Sequence, residues 1–196
     1  MVPRTISVVL FEDFELLDVA GPVEVFAKAE GLSLELLSAN GGPVVSSQGV
    51  EISAHASFAE MTGDVLLVPG GAGTRRLVDD EAFRAELVRM SERADITTSI
   101  CTGAALLAAS GLLDGYRATT NKRAYDWATS FGGDVEWVRT ARWVHDRDRW
   151  TSSGVSAGTD MALAFVAHHF GEPTAVEVQS ILELNAVLDP RNDPFA

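Results

Sequence analysis

The 196 residues set 28 acidic against 15 basic side chains, a formal net charge of −13, and a surface of that sign repels phosphate backbones and argues against nucleic-acid binding. The single cysteine excludes an internal disulfide and a cysteine-based zinc cluster, and it fits a reduced, cytoplasmic setting. No apolar stretch approaches the roughly 20 residues that span a bilayer, so no membrane partner is expected, and the opening Met1-Val2-Pro3-Arg4-Thr5 lacks the layout of a signal peptide.

In chain order, Thr5-Ile6-Ser7-Val8-Val9-Leu10-Phe11 is a near-continuous apolar run, the pattern of a central parallel strand. A polar break at Glu12-Asp13 leads to Leu16-Leu17-Asp18-Val19-Ala20-Gly21-Pro22. There Pro22 fits a first helical position, and Val23, Phe26 and Ala27 give the following helix an apolar face. Residues 34–39 predict a second strand and 44–54 a hairpin, while 64–68 form a third core strand ending in Pro69-Gly70-Gly71. Asp80 opens an amphipathic helix to about Arg93, with Phe83, Leu87 and Met90 on one face. A β-branched run from Asp95 then ends on Cys101, and a small-residue helix begins at once and stops near Gly111. Residues 118–120 read as a short extended piece and 124–131 as a helix. Short strands follow at 135–138, 141–145 and 150–153, then helices at 156–170 and 174–184.

Strands alternating with helices predict an α/β fold, a mostly parallel sheet with helices on both faces, as one domain over residues 1–196. Ligands of such sheets bind beyond the carboxyl ends of the strands, where this pattern puts Asp18, Gly70, Gly71 and Cys101.

Cys101 sits at a strand-turn-helix corner that resembles the nucleophile elbow of α/β hydrolases. The helix start behind it favours a thiolate, whereas the bland reading is a small buried hydrophobe. Asp18 is either a turn or capping carboxylate or, if it lies near Cys101, a carboxyl of raised pKa fit for general acid and base work. Gly70 and Gly71 make a turn from which the Gly71 N–H, with the Thr102 N–H, could face a reacting atom. His55, His145, His168 and His169 have no context that places them beside Cys101, so a Cys-His dyad lacks its partner. No metal-ligand spacing occurs, and Gly70-Gly71-Ala72-Gly73 is not followed by the residues of a phosphate-binding loop, so no metal or cofactor is expected. Trp127, Trp137, Trp143 and Trp150 read as core or interface residues.

Leu17-Asp18-Val19-Ala20-Gly21-Pro22, Val68-Pro69-Gly70-Gly71, Ser99-Ile100-Cys101-Thr102-Gly103, the stretch from Gly111-Leu112-Leu113-Asp114-Gly115 to Ala118-Thr119-Thr120, and residues 151–160 together resemble the ThiJ/PfpI family. The resemblance spans almost the whole chain and implies a flavodoxin-like three-layer sandwich, a homodimer, and a small-molecule substrate handled without a cofactor. Leu-Asp-x-x-Gly-Pro with Cys-Thr-Gly is similar to the branch that holds isonitrile (isocyanide) hydratases, which are lyases with a cysteine nucleophile. That likeness implies addition of water to an isonitrile through a covalent Cys101 thioimidate, with Asp18 as acid and base. Ligand-sensing domains of AraC-type regulators share the domain. A non-catalytic or redox-sensing role is therefore the alternative, beside glyoxalase or deglycase activity on reactive aldehydes. One departure stands out: after Ala-Thr-Thr the branch commonly has His-Trp, and this chain has Asn121-Lys122.

Overall fold

The first apolar run finds partners on both sides, which is what a strand with no polar face requires. A computed structural model describes residues 2–196. In it β1 (Thr5–Val9) lies between β2 (Ser33–Ser38) and β6 (Val65–Val68), parallel to both. Between these come a hairpin of β3 (Gly42–Val45) and β4 (Glu51–Ala54) and the two-residue β5 (Ala56–Ser57). β7 (Ile96–Ser99), β8 (Arg117–Ala118), β9 (Glu136–Trp137), β10 (Trp143–Asp146) and β11 (Arg149–Ser152) complete the strands. The main sheet runs β10-β11-β7-β6-β1-β2-β5, parallel throughout except for the β10–β11 hairpin at one edge. β8 and β9 pair separately.

Helices cover the sheet in two groups. α1 (Leu16–Lys28), α6 (Ala157–Phe170) and α7 (Glu172–Ile181) pack on one another, as do α2 (Thr74–Leu77), α3 (Glu81–Arg93) and α4 (Gly103–Ala109). α5 (Tyr125–Ala128) is a single turn, shorter than the helix predicted over 124–131. The fully buried Ile6, Val8, Leu66 and Leu67 form the core between the layers, with Phe26 edge-on to Phe165 at 5.6 Å. β7 is buried although its sequence is Ile-Thr-Thr-Ser. Its two threonine hydroxyls are satisfied locally, Thr98 Oγ1 donating to the Leu66 carbonyl at 3.0 Å and Thr97 Oγ1 pairing with Ser91 Oγ at 2.8 Å, while Ser99 Oγ has no partner.

The start of α1 differs from the sequence expectation. The helix begins at Leu16, so Pro22 lies inside it rather than at its first position. Proline has no N–H to give the carbonyl four residues back, which belongs to Asp18. The burial pattern explains why the helix tolerates this: Asp18, Pro22 and Val25 fall at i, i+4 and i+7 and share the buried face. No helix among the described residues is long and apolar enough to cross a membrane.

Candidate active site

Three chain corners at the carboxyl ends of β1, β6 and β7 meet around Cys101. At the end of β7 the backbone of Cys101 takes φ of +56°, a left-handed conformation that costs a non-glycine residue roughly 1–2 kcal/mol. Neighbouring groups hold it there. The Cys101 N–H donates to the Ser153 carbonyl at 2.9 Å, and the Cys101 carbonyl accepts from Thr120 Oγ1 at 2.9 Å. The corner that follows β6 brings the glycines against it. The Gly70 N–H donates to Asp18 Oδ2 at 2.8 Å, and the Gly71 N–H donates to Thr102 Oγ1 at 3.1 Å. A Cβ on Gly70 would stand 2.6 Å from the Thr102 nitrogen and 2.9 Å from Asp18 Oδ2, so only glycine fits. Asp18, Gly70, Gly71, Cys101 and Thr102, the five residues singled out from the sequence, thus share one locus. The Gly71 N–H, read from the sequence as facing a reacting atom, is engaged by the Thr102 hydroxyl instead.

Burial sets the electrostatics. Asp18 has no exposed surface, and desolvation pushes its carboxyl up to about 8, against the Gly70 hydrogen bond that favours the anion. The charge of Glu15 adds to the rise, and the Cys101 thiol facing Asp18 eases it. Oδ2 is satisfied by Gly70, while Oδ1 has no hydrogen-bond partner. Cys101 is 6% exposed, and burial, followed by the charge of Asp18, pushes its thiol up as well. The Thr102 N–H and hydroxyl and the Asn121 carboxamide oppose that rise. The sequence reading of a helix start favouring thiolate is therefore outweighed. A helix end is worth about 0.3–1 kcal/mol to a charge, whereas desolvating an ion costs several kcal/mol, and α4 is only seven residues long. One proton shared between thiol and carboxyl suits both groups better than two buried anions.

Asn121 is the site residue that sequence reasoning missed. Its Nδ2 donates to Cys101 Sγ at 3.2 Å, and its Oδ1 accepts from the Ala124 N–H at 2.9 Å, which fixes the amide with nitrogen toward sulfur. The sequence signal was present, as the departure after Thr119-Thr120, but without a fold it carried no direction. Arg75 was also missed. Its guanidinium lies over the Trp127 ring at 3.3 Å, within electrostatic range of Cys101. No histidine is among the partners of Cys101. His145 stacks on Trp150 with centroids 4.0 Å apart and meets His168 at 4.8 Å, by the β10–β11 hairpin. Trp143 and Trp150 are buried. Among the described residues no cluster of three or more His, Cys, Asp or Glu side chains could hold a metal ion.

Two cavities lie near the strand ends. The one beside Cys101 has a volume of about 310 Å³ and is lined by Leu17, Asn121 and Ser153 among others. A larger one, about 590 Å³, lies between Leu10, Phe11, the β3–β4 hairpin and Phe83 of α3; neither Cys101 nor Asp18 lines either cavity, but Asn121 and Ser153, which bond to Cys101, line the smaller.

Comparison with known proteins matches residues 4–168 to the DJ-1/PfpI family. Isonitrile hydratase from Pseudomonas putida is 35% identical over 179 residues, covering 91% of this chain and 77% of that protein. The HTH-type transcriptional regulator GbdR from Pseudomonas aeruginosa is 29% identical over 192 residues, 91% of this chain but 50% of the regulator. Among solved structures, a ThiJ/PfpI family protein from Pseudomonas syringae superposes with a TM-score of 0.86 at 31% identity, covering 95% of this chain and 77% of that one. The matched span and the shared mostly parallel sheet agree on one assignment: this chain belongs to the DJ-1/PfpI family.

Proposed function

We propose that the protein is a hydro-lyase that converts an isonitrile and water into an N-formamide. The observation that carries this reading is the buried Asp18 carboxyl facing the Cys101 thiol, its Oδ1 unpartnered and no histidine at hand. A protease-type dyad needs a histidine; addition of water across an isonitrile needs one nucleophile and one group that gives and takes protons.

The thiol and carboxyl begin with one proton between them. Sγ bonds to the terminal isonitrile carbon while that proton passes to the same carbon, leaving a thioimidate on Cys101 and Asp18 as carboxylate. Water then adds its oxygen to the carbon, and Asp18 relays the released proton to nitrogen. The new hydroxyl gives its proton to Asp18 as the carbonyl forms, the C–S bond breaks, and sulfur leaves with its electron pair. The pair again holds one proton, and the net change is the addition of one water. The Thr102 N–H and the Asn121 carboxamide, both facing sulfur, are placed to steady charge on the tetrahedral adduct. Gly70 and Gly71 act by position, tying Asp18 and Thr102 to one turn.

Incubation with an aryl isonitrile, followed by quantitation of the formamide, tests the proposal. Turnover by wild type that disappears in Cys101→Ala is the expected result. No turnover by wild type, or undiminished turnover in Cys101→Ala, overturns it. A redox-sensing role asks for an exposed thiol of low pKa, and the burial of Cys101 disfavours it. Intact mass after mild peroxide measures that alternative directly. The homodimer implied by family likeness is carried as part of the proposal and is checked by sedimentation.

A further inference from the structure

The chain carries nearly two acidic residues for each basic one, yet none of the described residues lining the cavity beside Cys101 is acidic, and three are cations: Lys122, Arg123 and Arg142. Their charges are not equally available. Arg142 is matched from behind, its Nε donating to Asp160 Oδ2 at 2.7 Å with Asp193 Oδ2 at 3.8 Å. Lys122 is not matched. It is 9% exposed, and its ammonium donates to neutral oxygens only, Thr119 Oγ1 at 2.6 Å, the Ala141 carbonyl at 2.8 Å and the Thr120 carbonyl at 3.3 Å. No carboxylate lies within ion-pair distance of it among the described residues, and burial pulls it down to about 8, with Arg139 and Arg142 adding to the fall and Asp193 resisting it. Its protons are spent on those oxygens, so below about pH 8 it contributes charge rather than a free donor. Arg123 is exposed and has no ion-pair partner among the described residues, so its guanidinium fork is free. A separate observation concerns Ser153. It is 1% exposed, lines the same cavity, and its Oγ has no hydrogen-bond partner, a state that ordinarily costs about 1–3 kcal/mol.

An uncompensated buried cation, a free guanidinium and an orphaned buried hydroxyl on one cavity wall are complementary to an anion. The geometry points to this cavity as a subsite for a carboxylate carried by the substrate, with Lys122 and Arg123 supplying charge and Ser153 Oγ a hydrogen bond. The cavity abuts the nucleophile through two residues: Asn121, which lines it and donates to Cys101 Sγ, and Ser153, whose carbonyl accepts from the Cys101 N–H. Its volume of about 310 Å³ is at the small end of ligand pockets. A guanidinium fork and a single hydroxyl suit the two oxygens of a carboxylate. Substrate identity here rests on the hydration reading; the anion subsite itself does not.

Alkylation of Cys101 separates the two. Iodoacetate and iodoacetamide present the same electrophilic carbon and differ in charge. In the native protein the iodoacetate-to-iodoacetamide rate ratio should exceed that of the urea-unfolded chain by at least tenfold, against the net charge of −13. It should fall toward the unfolded ratio in Arg123→Gln and in the near-isosteric Lys122→Met, and Arg123→Gln stands alone if the buried variant does not fold. A native ratio no higher than the unfolded one, a ratio indifferent to Arg123→Gln, or no alkylation by either reagent overturns the subsite. Steady-state hydration of 4-isocyanobenzoate and phenyl isocyanide is the second arm. The carboxylate-bearing substrate should show a KM at least tenfold lower, and the ratio of the two kcat/KM values should shrink in Arg123→Gln. Equal KM values overturn the substrate assignment. If neither isonitrile is hydrated while the alkylation ratio holds, the hydratase reading falls and the anion subsite stands.

Discussion

The two cavities near the strand ends make an instructive pair. The larger, about 590 Å³, is walled by Leu10, Phe11, Phe58 and Phe83, and its rim carries Glu12, Asp80 and Glu86 with Arg76 as its cation. Its side chains are conventionally settled: Phe83 packs edge-on against Phe11 and Phe58, and Arg76 pairs with Asp13 in solvent. The smaller cavity has about half that volume, but it abuts a residue in left-handed conformation, an orphaned carboxyl oxygen nearby and an orphaned hydroxyl on its wall. Empty volume measures how loosely elements meet. Stored strain and unsatisfied polar groups mark where a fold has given up stability, and the two occur together around Cys101, whereas the left-handed Asp13 beside the larger cavity has its carboxylate paired with Arg76.

The comparison breaks first at the nucleophile. Cys101→Ala should lower isonitrile hydration by at least about 10³-fold, whereas Phe83→Leu in the larger cavity should leave kcat/KM within a few fold, measured in the same formamide assay. Equal losses would mean that the larger cavity takes part.

Asp18→Asn should reduce kcat by roughly 10²–10⁴-fold, the usual range for a proton-transfer group. With the carboxyl at about 8, kcat/KM of wild type should rise with pH through that value and level off, because the reacting pair holds one proton and not two. The variant should lack this limb. The same group predicts a stability trend. Its folded value lies above the unfolded 3.8, so the native state binds the extra proton between these limits. The contribution of Asp18 to stability against urea, read as the difference between wild type and Asp18→Asn, should therefore be greatest below about 4 and decline as pH rises toward about 8.

Behind the smaller cavity, Asp160 pairs with Arg142, whose carbonyl accepts from the Ser153 N–H and so supports the Cys101 corner. Both partners are buried. Asp160→Asn leaves a buried guanidinium short of its counter-charge and should cost about 3–5 kcal/mol. The exposed Arg76–Asp13 pair on the other side is the contrast: Asp13→Asn should cost about 0–1 kcal/mol, read from urea midpoints of the two variants.

Much of this was legible without coordinates, because hydrophobic period and turn residues are local signals. The runs at 5–11, 34–39 and 64–68 became β1, β2 and β6, and the corner at Cys101 was visible from a β-branched run meeting small residues. Asp18 was harder. Its place in the helical stripe with Pro22 and Val25 was a sign of burial, but a proline at that point read more naturally as a helix start. Asn121 and Ser153 were out of reach, since each meets Cys101 across a gap of 20 residues or more that no periodicity spans.

By itself the sequence determined the alternating α/β order and the thiol at a strand-helix turn, both set by neighbours along the chain. Tertiary structure decided the rest: that Asp18 loses all contact with water, that burial outweighs the helix start in setting the state of the thiol, and that cations from distant segments gather on one wall in an acidic protein. Those are properties of desolvation and close approach, and desolvation exists only once the chain has closed on itself.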